Sequence, residues 1–313
     1  MKRIHAVLII VALFTGVSLA KLGPEQYYYI NEDKLNPPDE VKSLLDNATR
    51  TDELTDLLQS PDIYIRAAAV RRIGEIDGKE AITLLLETFY SQPDKRLPTS
   101  LPVVRVEVVR TLSRINATKE LAKLMNDLWT NKRPQDLGSP DPVWRKDTYV
   151  VIHHLLQQAN KHSSDPDVFK AINEIVQTDG LAEKFAPYKY SIVYWGWMGY
   201  IRCAMAQDNL TTPAEQVNFL MGFAEESKNT DQSDVLIKVK TGAVRQILDA
   251  TKTEDLIQAL ADIQQDINVL QADPFADANY VETLLRHANS LNNIIYIREF
   301  ERLRAEAAAK TDN

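Results

Sequence analysis

Three arginines recur along the chain at nearly constant spacing, with apolar residues at the same places behind them. Arg66, Arg105 and Arg145 lie 39 and 40 residues apart. Each is followed seven and ten residues later by an apolar side chain, as Ile73 and Ile76 follow Arg66. Self-similarity with a period near 40 residues is typical of repeats that contain two helices each. The spacing therefore predicts an all-α chain of stacked helix pairs.

The clearest repeat unit begins at Pro61 and Asp62 and turns at Gly78. Proline suits the first turn of a helix, and a carboxylate there faces the positive end of the helix dipole. Glycine ends a helix readily, because it reaches left-handed backbone angles at little cost. One helix pair cannot bury both of its apolar faces, so neighbours of the same kind must cover them. We therefore expect Ile73 and Leu112, at equivalent repeat positions, to lie in the core.

This unit resembles a HEAT repeat of the short bacterial kind. The matching features are a helix-start aspartate, an Ile-Arg pair, two alanines, an Ile-Gly-x-Ile run and a closing Ala-Ile with leucine three residues on: Asp62, Ile65, Arg66, Ala68, Ala69, Ile73, Gly74, Ile76, Ala81, Ile82 and Leu85. The next two copies depart from the pattern, because Ser113 and His153 replace the glycine. The resemblance implies an α-solenoid of HEAT-like helix pairs, which binds partners along a curved surface and usually performs no chemistry.

The resemblance also implies a structural role for the repeated charged residues. In the family, the helix-start aspartate and the arginine commonly pair between adjacent repeats. The positions implied to be structural are Asp62, Arg66, Arg105 and Arg145.

The first twenty residues predict a secretory signal peptide, 1–20. Two early cations precede a short apolar run, and the small-x-small end predicts cleavage after Ala20. We therefore expect an exported protein in the periplasm or an equivalent extracytoplasmic compartment. A retained anchor is the alternative, although the apolar run is short for the ~20 residues of a membrane span. Cys203 is the single cysteine, so no intramolecular disulfide can form, and we expect it to be buried.

The rest of the chain divides into three predicted segments. Residues 21–38 are rich in proline and tyrosine and predict an extended N-terminal arm. Residues 39–275 predict the HEAT-like solenoid, with a repeat pattern that is faint beyond the third copy. Residues 276–313 predict a C-terminal helix, which either caps the solenoid or projects toward a partner.

Two aromatic-rich stretches are the candidate surfaces for a protein partner. Adjacent tyrosines in the arm cannot all lie on one face of a regular element, and the predicted helix 187–202 carries aromatic rings all around it. Tyrosine and tryptophan dominate binding hot spots. The candidate anchors are Tyr27, Tyr28, Tyr29, Tyr194, Trp195 and Trp197. Two alternatives remain: an arm that packs on the chain's own first helices, and a buried central helix in which Gly196 and Gly199 admit close neighbours.

Sequence motifs for catalysis or cofactor binding are absent: there is no glycine-rich phosphate loop, no metal-spaced Cys/His set and no serine-hydrolase elbow. His153 and His154 point about 100° apart on a helix, which makes a poor metal pair. We expect one of them to pack and the other to be solvated. His162 and His287 are isolated in the sequence. We therefore expect no catalytic residue, no cofactor and no metal.

The net charge of the chain favours a protein as the partner. A net charge of −8 without any long basic run disfavours nucleic acid and anionic membranes. The hypothesis is an exported scaffold for protein–protein interaction, an assembly or structural subunit of a larger extracytoplasmic complex such as a redox-enzyme or filament assembly, with self-assembly allowed. The alternative is an enzyme of the HEAT-repeat lyase type that acts on a bound small molecule, although the sequence shows no acid–base pair or activated nucleophile.

Overall fold

The computed structural model describes residues 37–91, 102–131, 142–178, 190–228 and 233–311. Within these ranges the chain is all α, and no β-strand occurs. The predicted fold class, all-α with HEAT-like helix pairs, is confirmed. The predicted signal peptide 1–20 and nearly all of the predicted arm 21–38 lie outside the described residues. The chain forms two compact units, with the boundary between Gly199 and Tyr200.

The helices of the first unit come in consecutive pairs. The α-helices are α1 (Asp39–Asn47), α2 (Ile63–Asp77), α3 (Ile82–Tyr90), α4 (Val103–Arg114), α5 (Thr118–Asn126), α6 (Pro142–Ala159) and α7 (Pro166–Val176), and α8 (Tyr190–Gln207) crosses the unit boundary. Short 3₁₀ segments lie at Thr51–Gln59, Gly78–Ala81 and Asn160–His162, and a π-helical turn lies at Asp127–Asn131. The first of these 3₁₀ segments replaces the second helix of the first pair.

The pair of α2 and α3 begins and turns where the sequence predicts. The carboxylate of Asp62 accepts a hydrogen bond from the backbone N–H of Tyr64 at 2.8 Å and so caps α2. The helix ends at Asp77, and Gly78 follows with a φ of +54°. That angle lies in the left-handed region, which glycine adopts without steric cost.

Neighbouring pairs stack in two layers. α4 packs between α2 and α6, so these three helices form one layer, and α5 packs against α7 in the other. Ile73 and Leu112 are fully buried in this core, as predicted, together with Leu121 and Ile172. Each pair leaves an apolar face that the next pair covers, which is the stabilising principle of repeat proteins.

Gly74 marks a close approach of α2 to α4. A Cβ atom at this position would lie 2.1 Å from Cγ2 of Thr111, far inside van der Waals contact. Ser113 and His153, at the equivalent positions of the next two repeats, are both buried. The glycine position of the repeat is therefore the place where one repeat meets the next, and larger residues there must find partners in that neighbour.

The second unit contains the end of α8 and four further helices. They are α9 (Pro213–Lys228), α10 (Asp234–Ala250), α11 (Thr253–Ala272) and α12 (Ala278–Thr311). α9 packs against α10 and α11, and α11 packs along α12. Cys203 is buried in this unit, as predicted.

A capping box fixes the start of α9. The carboxylate of Glu215 accepts hydrogen bonds from the backbone N–H groups of Thr212 at 3.0 Å and Thr211 at 3.1 Å. The N–H of Glu215 donates in return to Oγ1 of Thr212 at 3.3 Å. These bonds, led by those from Thr212, lower the pKa of Glu215.

The C-terminal stretch, predicted over residues 276–313 as a helix that caps the solenoid or projects from it, has both buried and exposed apolar residues. It forms one long helix, α12, in which Leu284 and Leu291 are buried whereas Tyr296 and Phe300 are exposed. The boundary between the two units lies inside α8, a position that the repeat pattern does not indicate. No helix in the described ranges has the run of apolar residues that crossing a bilayer requires.

Candidate functional site

The repeated charged residues lie on the first helices of their pairs. Asp62 caps its own helix, and within the described residues it forms no ion pair with an arginine. Arg66 is half-buried on α2, and Nε of Arg105 donates to the backbone carbonyl of Phe89 at 3.0 Å. The Arg105 guanidinium also lies 5.5 Å from the centre of the Phe89 ring. Arg145 belongs to α6, and its side chain lies outside the described residues.

A charge cluster that the sequence did not predict lies between α2 and α4. The side chain of Glu107 is only 2% exposed, and its Oε1 accepts from Nε of Arg71 at 3.0 Å and from Nη2 of Arg114 at 2.6 Å. Nη1 of Arg110 lies 3.7 Å from the other carboxylate oxygen, Oε2. We call these four residues the Glu107 cluster. A buried carboxylate is tolerated only when it is paired and hydrogen-bonded, and here three guanidinium groups supply the pairing.

The Glu107 cluster joins two repeats. Arg71 is on α2 and the other three members are on α4, so the ion pairs cross the interface that Gly74 brings close. The carboxylate is paired with arginines of its own chain through both oxygens, by hydrogen bonds at Oε1 and by charge alone at Oε2, which makes the cluster structural. One sequence signal of a buried Glu107 was available. Glu107 occupies the repeat position that Ala68 occupies 39 residues earlier, and it stands between Val106 and Val108.

The predicted aromatic surface on α8 is divided between the core and the surface. Trp197 is 6% exposed, and the structure therefore places it in the core instead of on a partner surface. Tyr194 and Trp195 are half-buried, with their rings edge to face at 6.0 Å between centroids. The other candidate anchors, Tyr27, Tyr28 and Tyr29, lie outside the described residues.

Two glycines explain why α8 is drawn into the core. A Cβ atom at Gly196 would lie 3.0 Å from Cγ1 of Val176, and one at Gly199 would lie 2.9 Å from Cδ1 of Ile172. Both neighbours belong to α7, so the two helices are in close contact along the glycine face. The alternative interpretation of this stretch, a central helix with close neighbours, describes this part of α8 better than an aromatic surface does.

His153 and His154 are both buried, so the expectation that one of them is solvated was wrong. Their exposed fractions are 8% and 3%. The ring of His153 lies edge-on to that of Trp195, with 6.1 Å between centroids. Burial, with a smaller contribution from His154, lowers the pKa of His153 to about 3. His153 is therefore neutral near pH 7 and packs against Trp195 of α8 as an aromatic ring.

Ser113 and His162 form the pair that most resembles catalytic chemistry. Ser113 Oγ lies 2.9 Å from Nε2 of His162, and burial lowers the pKa of that imidazole. A serine nucleophile also needs a group that orients its histidine, and an accessible hydroxyl. In the described chain the Asp165 carboxylate lies too far from the imidazole for an ion pair and acts on His162 only through its charge. Its hydrogen bonds cap α7, accepted from the N–H groups of Asp167 at 2.9 Å and Val168 at 3.2 Å. Ser113 is 5% exposed, so the pair acts as a hydrogen bond between repeats.

Two buried basic groups join α9 to its neighbours in the second unit. Lys240 on α10 is 7% exposed, with Nζ 5.9 Å from the centre of the Phe223 ring, and burial lowers its pKa. His287 on α12 has Nε2 3.6 Å from Oε2 of Glu225. Burial lowers the pKa of His287, and Glu225 offsets part of that effect. Nowhere in the described ranges do three or more His, Cys, Asp or Glu side chains gather as a metal site would require.

Comparison with known families matches residues 51–137 to HEAT repeats. The matched segment begins with the first 3₁₀ segment and includes α2 to α5, and therefore the contact between α2 and α4 at Gly74 and the Glu107 cluster. No curated protein and no solved structure matches the chain. HEAT repeats generally act as scaffolds for contacts between proteins, so the match points to a protein as the partner.

Proposed function

We propose that this protein is an exported HEAT-repeat scaffold for protein–protein interaction, and that it serves as an assembly or structural subunit of a larger extracytoplasmic complex. The observation that carries the proposal is the two-layered stack of helix pairs in the first unit, within the segment that matches HEAT repeats. Stacked pairs offer a partner an extended surface, and that surface requires no pocket.

The use of polar groups supports binding over catalysis. Glu107 is neutralised by arginines of two repeats, and Ser113 is bonded to a histidine of the following pair. His287 faces Glu225 across two helices of the second unit. Each of these groups stabilises a contact between elements, and a reacting substrate would have to compete with that contact.

The proposed location rests on the leader sequence. Residues 1–20 have the cations, the short apolar run and the small-residue end of a signal peptide. An exported chain would begin at Lys21, which places the tyrosine-rich arm at the new N-terminus. Tyr27, Tyr28 and Tyr29 are the proposed anchors for the partner, with the half-buried Tyr194 and Trp195 as further contacts.

Purification from the native source tests the proposal. The tagged chain is isolated gently from the extracytoplasmic fraction, its N-terminus is sequenced, and the molar ratio of any second polypeptide is measured. We expect a mature chain that begins at Lys21 and a second polypeptide in constant ratio. Replacing Tyr27, Tyr28 and Tyr29 with serine should lower that ratio while the thermal unfolding temperature stays nearly unchanged.

The matched control is Tyr280→Ser, which removes an exposed tyrosine ring, 52% accessible, from the second unit. This control should leave the ratio unchanged. A wild-type chain that is purified alone contradicts the scaffold role. A triple variant that unfolds at a markedly lower temperature shows that the arm packs on its own repeats and removes it as the anchor.

A further inference from the structure

The last turns of α12 extend beyond the packed part of the second unit. Nη1 of Arg298 donates to the backbone carbonyl of Thr251 and Nη2 to that of Leu248, each at 2.7 Å. These bonds fix α12 against the C-terminal end of α10. Every residue from Phe300 to Ala309 is exposed. Most helical stability in proteins comes from the packing of an apolar face, so a partner that covered the apolar side chains of this segment would stabilise it.

An apolar stripe runs along the last turns of α12, on the side of the helix opposite the core. Tyr296, Phe300 and Leu303 are 70%, 57% and 55% exposed, and their spacing of four and three residues puts them on one helix face. We call these three residues the C-terminal stripe. Leu291, which is fully buried, precedes Phe300 by nine residues, or about 180° around a helix. The stripe therefore faces away from the core of its own unit.

The spacing of the stripe is that of a coiled-coil seam. Asn293, Tyr296, Phe300 and Leu303 follow one another at steps of three, four and three residues, which assigns them to positions a, d, a and d of two heptads. Leucine at d is typical of parallel two-stranded coils, and a single asparagine at a specifies register and strand number. Asn293 is itself exposed, so the seam starts before the extension leaves the unit.

The charges beside the stripe decide which helix fits it. In this register Glu299 and Glu306 occupy g positions and Arg304 occupies an e position. Parallel pairing brings each g residue beside the e residue of the next heptad on the other helix, so Glu299 meets Arg304 of a second copy, and the contact occurs twice. Antiparallel pairing would instead bring the g-position glutamates together. Arg304 forms no ion pair among the described residues, whereas Glu299 pairs with Arg302 of its own helix at 2.9 Å.

From this complementarity we propose that the C-terminal stripe binds a second copy of the same chain, in a parallel two-stranded coiled coil over residues 293–304. The second unit of each copy lies on the outer side of its helix, because the buried face of α12 is opposite the stripe. The inference does not depend on the proposed scaffold role: it concerns the purified chain by itself.

Sedimentation velocity of the purified chain, over about a hundredfold range of concentration, tests the dimer. The wild type should shift from monomer to dimer as the concentration rises. Glu299→Arg and Arg304→Glu should each weaken self-association by about tenfold or more, because each variant places like charges opposite one another in the dimer. An equimolar mixture of the two variants should dimerise as the wild type does, since every g–e contact then joins opposite charges.

The control variants are Arg245→Glu and Asp249→Arg, which reverse an exposed ion pair on α10 and should leave self-association unchanged. Leu303→Asn should abolish the dimer, and circular dichroism shows whether α12 remains helical in each variant. The proposal is overturned by a wild type that stays monomeric throughout, by a dimer that survives Leu303→Asn, or by a variant mixture that stays as weak as its components. Capture of a different protein by the stripe, without self-association, also overturns it.

Discussion

Glu107 stands between Val106 and Val108 on α4, and all three residues are buried. The sequence shows a carboxylate in an apolar run, but its partner Arg71 is 36 residues away on another helix. A buried carboxylate without cations would cost several kcal/mol. The ion pair therefore restricts how α2 and α4 can pack, because the two helices must align so that Arg71 reaches Glu107.

Glu107→Gln should lower the free energy of unfolding by about 1–3 kcal/mol. The amide keeps the shape of the side chain but removes the charge that three arginines share. The cost stays in this range because Arg71 and Arg114 are partly exposed, at 32% and 46% of their side chains. Urea unfolding followed by circular dichroism measures the change.

Glu75→Gln provides the matched control for Glu107→Gln. Glu75 pairs with Arg72 at 3.3 Å, but the two side chains are 49% and 31% exposed. Exposed pairs contribute little, so this change should stay within about 0.5 kcal/mol. Equal effects of the two substitutions would show that the Glu107 cluster does not stabilise the repeat interface.

His153 gives the unfolding free energy a dependence on pH. Its pKa in the folded chain is about 3, against an ordinary value of 6.5. Between these values the unfolded chain binds a proton that the folded chain does not, so stability falls as the pH falls. The contribution amounts to about 2 kcal/mol between pH 7 and pH 5. Aspartate and glutamate contribute little there, because their ordinary pKa values are lower.

Urea unfolding at a series of pH values checks this dependence on His153. His153→Phe keeps an aromatic ring and removes the titration, so the loss of stability over this range should become shallower. Part of the loss should remain, because burial also lowers the pKa values of His162 and His287. An unchanged pH profile would mean that His153 is accessible to protons in the folded chain.

At the scale of the elements, local sequence signals predicted the helix ends, whereas long-range contacts determine which side chains are buried. Asp62 and Gly78 act through their own turns, so sequence alone was enough to place both ends of α2. The capping box of Glu215 was readable in the same way, from its spacing of three residues after Thr212. Trp197 was misjudged because burial on α8 depends on which helices pack beside it, and the sequence did not show the contact of α8 with α7 along Gly196 and Gly199.

The same reasoning separates the candidate surfaces. A tryptophan on a helix lies either in the core or on a partner surface, depending on which elements pack beside it. Neither periodicity nor composition predicts that packing. The pairing of Ser113 with His162 was likewise invisible, because 49 residues separate them. The apolar pattern of the stripe on α12 was visible in the sequence. That the stripe lies opposite the buried face is known only from the packing of α11 against α12.

Gly74→Ala tests the close approach of α2 to α4. The added methyl would lie 2.1 Å from Cγ2 of Thr111, so we expect a loss of about 1–3 kcal/mol in the free energy of unfolding. Thr111→Ser removes that Cγ2 and keeps the hydroxyl, which accepts from Nη2 of Arg114 at 2.8 Å. The cost of Gly74→Ala should therefore nearly vanish in the Thr111→Ser background.

Gly222→Ala is the control for the glycine substitution. Gly222 lies within α9 with no neighbouring atom within 4 Å of an added Cβ. Alanine should stabilise the chain there by up to about 1 kcal/mol through helix propensity. Additive effects of Gly74→Ala and Thr111→Ser would contradict the contact, because coupled neighbours give non-additive energies.

At the scale of the whole molecule, the two units differ in what they offer a partner. The first unit is a stack of helix pairs in which buried charges and hydrogen bonds join consecutive repeats. The second unit ends in a helix whose exposed apolar stripe continues past its packed part. We therefore expect the first unit to bind a different protein and the last helix to bind a second copy of the chain.

The mass of the native particle tests this central claim most directly. The tagged full-length chain is extracted under gentle conditions and its particle mass is measured by light scattering during size exclusion. The account predicts a mass above that of two copies of the mature chain, made up of this chain and at least one other polypeptide in constant ratio. A particle that contains this chain alone, as a monomer or as its dimer, would contradict the scaffold function.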